Sequence, residues 1–202
     1  MNNPDPLSLL NEEERNKIER MFSSCEEIVG LNHVTKVVSG EKSHSGDNQL
    51  KAYIGLEPSG KAHLGWMVLS ETMKNMLDEG VNITILLADW HAWVNDKFNG
   101  EMDDIQTTAR YMEETFRALL GNPPEGDGPG ELRFVWASSI MDSGDYWARV
   151  LRCSKNMSLA RVRRTFSIMG RSEDSSDLSL IHISEPTRQE AISYGGVGVK
   201  KK

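Results

Sequence analysis

Hydrophobic positions along this chain switch between two periods, and the switches mark out its elements. Glu12 to Val29 repeats at helical spacing, with Ile18, Met21, Phe22, Cys25 and Ile28–Val29 in one apolar stripe, so a helix is predicted there. A second, short helix is predicted over Leu31–Val38, and the polar run GEKSHSGDN (Gly40–Asn48) reads as a linker. LKAYIGL then reads as a strand, and the Gly/Pro turn EPSGKAHLGW leads into a helix over His63–Leu77 that stops at Glu79–Gly80. VNITILLADW is continuously apolar and β-branched, the pattern of a strand covered on both faces. A long helix over Asp103–Leu120, a loop at NPPEGDGPG (Asn122–Gly130), a third strand at LRFVWAS and a mostly helical Asp145–Ile168 complete the pattern.

Strands alternating with helices at this spacing predict βαβ units and a parallel sheet. Three strands make roughly half of a doubly wound nucleotide fold. The expected class is therefore α/β, a partial Rossmann-like parallel sheet with flanking helices and a helical N-terminal extension. The expected units are residues 1–48 as extension and linker, 49–171 as the nucleotide-binding half-domain, and 172–202 as a tail foreign to it.

Composition narrows the classes. The chain has 202 residues, 38% hydrophobic and 26% charged, in the range of a soluble globular domain. No stretch approaches the roughly 18 apolar residues that span a bilayer. The start, MNNPDPLSLLNEEER, lacks the basic-then-apolar pattern of a secretory signal. Cys25 and Cys153 stand far apart in no metal-ligand spacing, which predicts two buried thiols in a reducing cytoplasm. A net charge of −7 argues against nucleic-acid binding through bulk positive charge. Yet Tyr146–Gly170 contains no acidic residue while holding Arg149, Arg152, Lys155, Arg161, Arg163 and Arg164. That run reads either as a solvated helix face or as a local phosphate-contacting surface.

In a parallel open sheet, ligands sit where strands pass into helices. YIGLEPSGKAHLGW (Tyr53–Trp66) lies at such a junction. Gly55 and Gly60 permit tight turns and close ligand approach. His63 and Gly65 fall on the first helical turn, where free N–H groups and the positive end of the helix dipole favour phosphate. Gly65 would leave a bare patch on which a planar base could lie. By pattern alone, a glycine-rich turn before a histidine is a weak signal that ordinary turns share.

The residues His63-Leu64-Gly65-Trp66 resemble the HIGH signature of class I aminoacyl-tRNA synthetases, and the preceding AYIGLEPSGK is similar to its form in archaeal tyrosyl-tRNA synthetases. ILLADWHAWVND (Ile85–Asp96) resembles the same family's second pocket-lining strand. ASSIMDSGDYW and SKNMSLARVRRTFSIMGR resemble its connecting insertion, which carries dimer contacts and faces the tRNA acceptor end. The likeness runs from Tyr53 to Arg171 in one register.

This resemblance implies ATP-dependent activation of L-tyrosine and its transfer to tRNA(Tyr), in the cytoplasm, by an enzyme that is a homodimer at full length. It implies that the Tyr53 hydroxyl meets the phenolic oxygen of the substrate, with Leu86, Ala88 and His91 lining the ring pocket. It implies Ser59 and His63 as catalytic donors to the ATP phosphates, and Gly55, Glu57 and Gly65 around the ribose and adenine. Trp66 stands where the motif has its second histidine and is counted with the ATP site, its indole N–H being the one donor it could offer. Arg161, Arg163 and Arg164 are assigned to tRNA, and Mg²⁺ is expected with ATP although no metal cluster is visible. His91 could equally be a histidine satisfied in the core below the site, and Asp89 a structural carboxylate tied to backbone N–H groups.

The family's Tyr-x-x-x-Gln-x-x-Asp helix, its KMSKS loop and its anticodon-binding domain do not occur in this sequence. LSLIHISEPTR (Leu178–Arg188) can be back-translated into a transposase-type library adapter, so the segment Leu178–Lys202 is expected not to pack with the domain. Two other readings remain: a tryptophanyl-tRNA synthetase fragment, disfavoured by Tyr53 and the EPSG turn, and a non-catalytic nucleotide- or tRNA-binding module.

Overall fold

A computed structural model describes residues 6–41, 48–123, 129–156 and 198–200. Helix α1 (Glu12–Met21) opens on a reciprocal cap. Asn11 Oδ1 accepts from the Glu14 N–H at 2.9 Å, and the Glu14 carboxylate accepts from the Asn11 N–H at 2.9 Å. The helix ends at Met21, and Glu27–Val29 forms a short strand, β1, so the single helix expected to Val29 is divided. Two serines supply the reason. Ser23 accepts from the Asn75 side chain at 3.0 Å and Ser24 bonds Thr72 at 2.7 Å, so side-chain bonds to a neighbouring helix replace another helical turn. Helix α2 (Leu31–Val38) follows Gly30, whose φ of 83° puts it in the left-handed region that suits glycine.

The sheet comprises β2 (Lys51–Leu56), β3 (Asn82–Leu87) and β4 (Leu132–Trp136), in the order β2-β3-β4 and parallel throughout. Between them run α3 (Leu64–Asp78), α4 (Asp89–Val94) and α5 (Met102–Leu119), and β4 passes directly into α6 (Ala137–Met141) and α7 (Gly144–Asn156). The strand expected to continue through Asp89–Trp90 stops at Leu87, because Ala88 turns (φ −88°, ψ 62°) and α4 begins at the next residue.

Register separates the two faces of the sheet. Ile54 pairs with Ile85, Leu56 with Leu87, and Leu87 with Trp136. These residues, with Ile83, Leu132 and Phe134, join Trp66, Met73 and Leu77 of α3 and Ala109, Met112 and Phe116 of α5 in one core. Leu10, Ile18, Met21, Phe22 and Val34 belong to the same core, so the segment set apart as an N-terminal extension is packed into it. Tyr53, Gly55, Thr84 and Leu86 point to the other face by the two-residue period. No disulfide joins Cys25 and Cys153, which are half-buried.

Helices α1 and α3 are tied by an ion pair between Arg20 and Glu79, whose second contact spans 3.1 Å. The Arg20 hydrogen bond holds the Glu79 carboxyl below its ordinary value, and the same bond raises Arg20. A depressed carboxyl contributes stability above the ordinary carboxylate range and loses it as pH falls through the folded value. Glu79→Gln should therefore melt slightly below wild type at neutral pH, the gap being small for so exposed a pair. The gap should close in acid, and a difference that persists unchanged across a pH series of thermal melts would rule the linkage out.

Gly198–Lys200 forms a three-residue strand, β5, antiparallel to β1, with Glu27 opposite Lys200 and Val29 opposite Gly198. This departs from the expectation that Leu178–Lys202 stays apart from the domain. Arg161, Arg163 and Arg164, with the rest of the tail, lie outside the described residues.

Candidate nucleotide and amino-acid site

The carboxyl edge of the sheet collects most of the sequence-assigned residues. β2 delivers Tyr53 and Gly55, then hands the chain through Glu57 and the fully buried Pro58 to an exposed Ser59. β3 delivers Leu86, 2% exposed, beside Gly55 in register, with Ala88 immediately beyond. The Ala88 N–H donates to the Leu56 carbonyl at 2.8 Å, extending the β2–β3 ladder by one bond at the edge where a ligand would lie. Tyr53, Gly55 and Leu86 thus share the sheet face opposite the main core, where Leu86 is buried.

His63 is the N-cap of α3 and is exposed. Its Nδ1 accepts from the Gly65 N–H at 3.2 Å, satisfying one of the free donors of the first turn. A Cβ on Gly65 would lie 3.0 Å from both Nδ1 and Cε1 of that ring. The bare patch expected at Gly65 is therefore occupied by the His63 imidazole, and glycine is what lets the ring lie there. Helix α3 has 15 residues, and Leu64 and Gly65 at its start are exposed, so its positive dipole end faces solvent beside His63.

Trp66 does not join this group. Its indole is 8% exposed, stacks on Phe116 with centroids 5.2 Å apart at 21°, and belongs to the core. As the third residue of α3, this large apolar ring meets the core rather than solvent, so packing replaces the phosphate contact expected of Trp66. His91 is buried at 8% exposure in α4, its N–H bonded to the Ala88 carbonyl at 3.1 Å.

Three contacts around the loop are not legible in the sequence. Glu57 accepts from Asn95 Nδ2 at 3.3 Å and lies 4.0 Å from the Lys97 ammonium. The Ala62 N–H donates to the Tyr111 hydroxyl at 3.4 Å. Asn95, Lys97 and Tyr111 hold the Glu57–His63 loop from elements 38 to 49 residues away in sequence, and nothing in local periodicity signals such pairings. Asp89 is wholly buried, and its Oδ1 accepts from the backbone N–H groups of Trp90 and Ser138, each at 3.0 Å, as a structural carboxylate would.

A three-stranded parallel sheet flanked by helices, with a glycine-rich turn at its carboxyl edge, defines an α/β protein of the Rossmann-like class. The model of the family described as class I tRNA synthetases (W and Y) matches residues 45–191, and this chain belongs to that family. The matched stretch runs past Arg171, where the motif resemblance ends. Tyrosine–tRNA ligase of Sulfurisphaera tokodaii is 36% identical over 201 residues, covering 95% of this chain and 51% of that protein. The Picrophilus torridus tyrosine–tRNA ligase is 38% identical over 161 residues, 79% of this chain and 44% of its own length. The chain thus spans about half the length of these relatives. Among solved structures, the tyrosyl-tRNA synthetase of Aeropyrum pernix superposes with a TM-score of 0.70 at 31% identity, over 90% of this chain and 50% of that one. A tryptophanyl-tRNA synthetase from Encephalitozoon cuniculi, at 16% identity and a TM-score of 0.61, shares the fold.

Proposed function

We propose that this chain is the ATP- and tyrosine-binding N-terminal half of a tyrosine–tRNA ligase. The observation that carries the reading is the shared face of Tyr53, Gly55 and Leu86 beside the His63-capped start of α3. On this reading an aromatic ring would lie against that face, next to the donors for phosphate. Tyrosine is favoured over tryptophan because relatives named as tyrosine–tRNA ligases align over most of this chain at 36% identity, whereas the tryptophanyl structure is alike in fold.

In the proposed reaction, the tyrosine carboxylate attacks the α-phosphate of ATP, pyrophosphate leaves, and a ribose hydroxyl of tRNA(Tyr) then takes the tyrosyl group. Alignment of reactants and donors directed at developing charge would supply the rate. Ser59, His63 and the first turn of α3 would bind phosphate, while Gly55, Glu57 and Gly65 would border the ribose and adenine, the His63 ring having to leave its place over Gly65 for a base to lie there. Tyr53 would hydrogen-bond the substrate hydroxyl, with Leu86, Ala88 and His91 around the ring. Mg²⁺ would come with ATP, held on its phosphates; among the described residues no group of three His, Cys, Asp or Glu gathers as a metal site. Arg161, Arg163 and Arg164 would meet tRNA, with Arg149, Arg152 and Lys155 exposed on α7 just before them. A homodimer acting in the cytoplasm completes the proposal. No helix among the described residues is long and apolar enough to cross a membrane.

Calorimetric titration of the chain with tyrosine, phenylalanine and tryptophan tests the reading. Tyrosine should bind most tightly, and Tyr53→Phe should weaken it about tenfold, the effect of losing one buried hydrogen bond to the substrate hydroxyl. Equal affinity for the three amino acids overturns the reading. Tyrosine-dependent exchange of pyrophosphate into ATP should be undetectable for this chain alone, because the KMSKS loop is absent from its sequence and closing loops complete such sites. Exchange above background that is lost in His63→Ala would show a self-sufficient half-site.

A further inference from the structure

The buried carboxyl of Asp89 has no assigned part in the proposed chemistry, yet it joins two of the three strand ends that form the site. Leu87 and Trp136 are the last paired residues of β3 and β4. Asp89 and Ser138 lie two residues beyond them, each in the first turn of a short helix. Backbone N–H groups there have no intrahelical partner. Asp89 Oδ1 accepts one from each helix, Trp90 of α4 and Ser138 of α6, both at 3.0 Å. The residue is 0% exposed, and its Oδ2 has no hydrogen-bond partner among the described residues. A single oxygen thus fastens the starts of α4 and α6, which pack against each other.

We propose that Asp89 is a positioning residue for the amino-acid pocket, acting through Ala88 and His91. Ala88 precedes Asp89 and carries the last bond to β2, while its carbonyl accepts from the N–H groups of His91 and Ala92, both at 3.1 Å. The bond to Ser138 fixes where α4 leaves the sheet, and that departure sets the place of the His91 ring. What matters is the acceptor at Oδ1, since the second oxygen contributes no bond. The inference rests on the reading of Ala88 and His91 as pocket residues.

The test uses the 202-residue chain with two substitutions. Asp89→Asn keeps the Oδ1 acceptor, whereas Asp89→Leu keeps the approximate volume and removes it. Nuclear magnetic resonance reads the His91 ring signals and the exchange protection of the Ser138 amide without ligand, and calorimetry reads tyrosine affinity. Asp89→Leu should lose Ser138 protection, shift the His91 signals and weaken tyrosine about tenfold or more, with Asp89→Asn close to wild type in all three. Asp89→Asn that shifts the His91 signals or loses Ser138 protection overturns the inference, whether or not Asp89→Leu folds. So does Asp89→Leu that loses Ser138 protection yet binds tyrosine as wild type does. A wild-type chain that binds no tyrosine defeats the parent reading, and the unliganded His91 and Ser138 signals then decide the positioning role by themselves.

Discussion

Trp66→Ala should destabilise the folded chain by about 3–5 kcal/mol, the cost of emptying a buried aromatic site. The indole is stacked on Phe116, itself 0% exposed, and it closes the core between α3 and α5. Tyr111 and His63 lie nearby, with ring centroids 6.2 and 5.9 Å away. Removing the ring opens a cavity that these neighbours fill only in part. Trp66→Phe keeps an aromatic face toward Phe116 and should cost much less. Denaturant unfolding with unchanged slope measures both. A loss under about 1 kcal/mol for the alanine variant would place the indole outside the core, since deleting a buried aromatic costs several times that.

Gly130→Ala should cost about 2–4 kcal/mol, the second-largest effect expected of a single substitution here. Gly130 has φ +77°, where an L side chain is strained, and an added Cβ would stand 2.8 Å from the Leu77 carbonyl oxygen. That oxygen belongs to the backbone at the end of α3 and cannot swing away. Gly121 provides an internal control, with the same φ of +77° and nothing within 4 Å of its would-be Cβ. Gly121→Ala should therefore show the dihedral strain alone, about 1–2 kcal/mol, offset in part by a stiffer unfolded chain. The gap between the two variants in parallel urea titrations isolates the clash. Equal losses would mean that the Leu77 carbonyl does not crowd a Cβ at Gly130.

Much of this molecule is legible along the chain. The apolar run of β3 and the alternation of strands with helices determine a parallel sheet, because a strand covered on both faces needs helices above and below. The helix over Leu31–Val38 and the glycine stop after α3 also follow from local signals, since capping and left-handed turns depend on a few adjacent residues. The site loop is legible for the same reason: glycines, a proline and a histidine at a strand-to-helix junction are a local pattern, and they resemble the family's first signature.

What the chain does not display is which surface each residue finally meets. Ile28 and Val29 fit the stripe of α1, but Ser23 and Ser24 bond α3 and divert the chain into β1. Trp66 occupies a signature position, yet its size and its place on α3 direct it into the core against Phe116, leaving the first turn to His63 and Gly65. Asp89 reads in sequence as a polar residue in an apolar run that could be a structural carboxylate tied to backbone N–H groups, without saying whose. Only the parallel register, which sets it beside Ser138 across 49 positions, makes it the joint between two strand ends. Periodicity reports which face of its own element a residue occupies, and hydrogen bonds between distant segments are decided when the sheet brings those faces together.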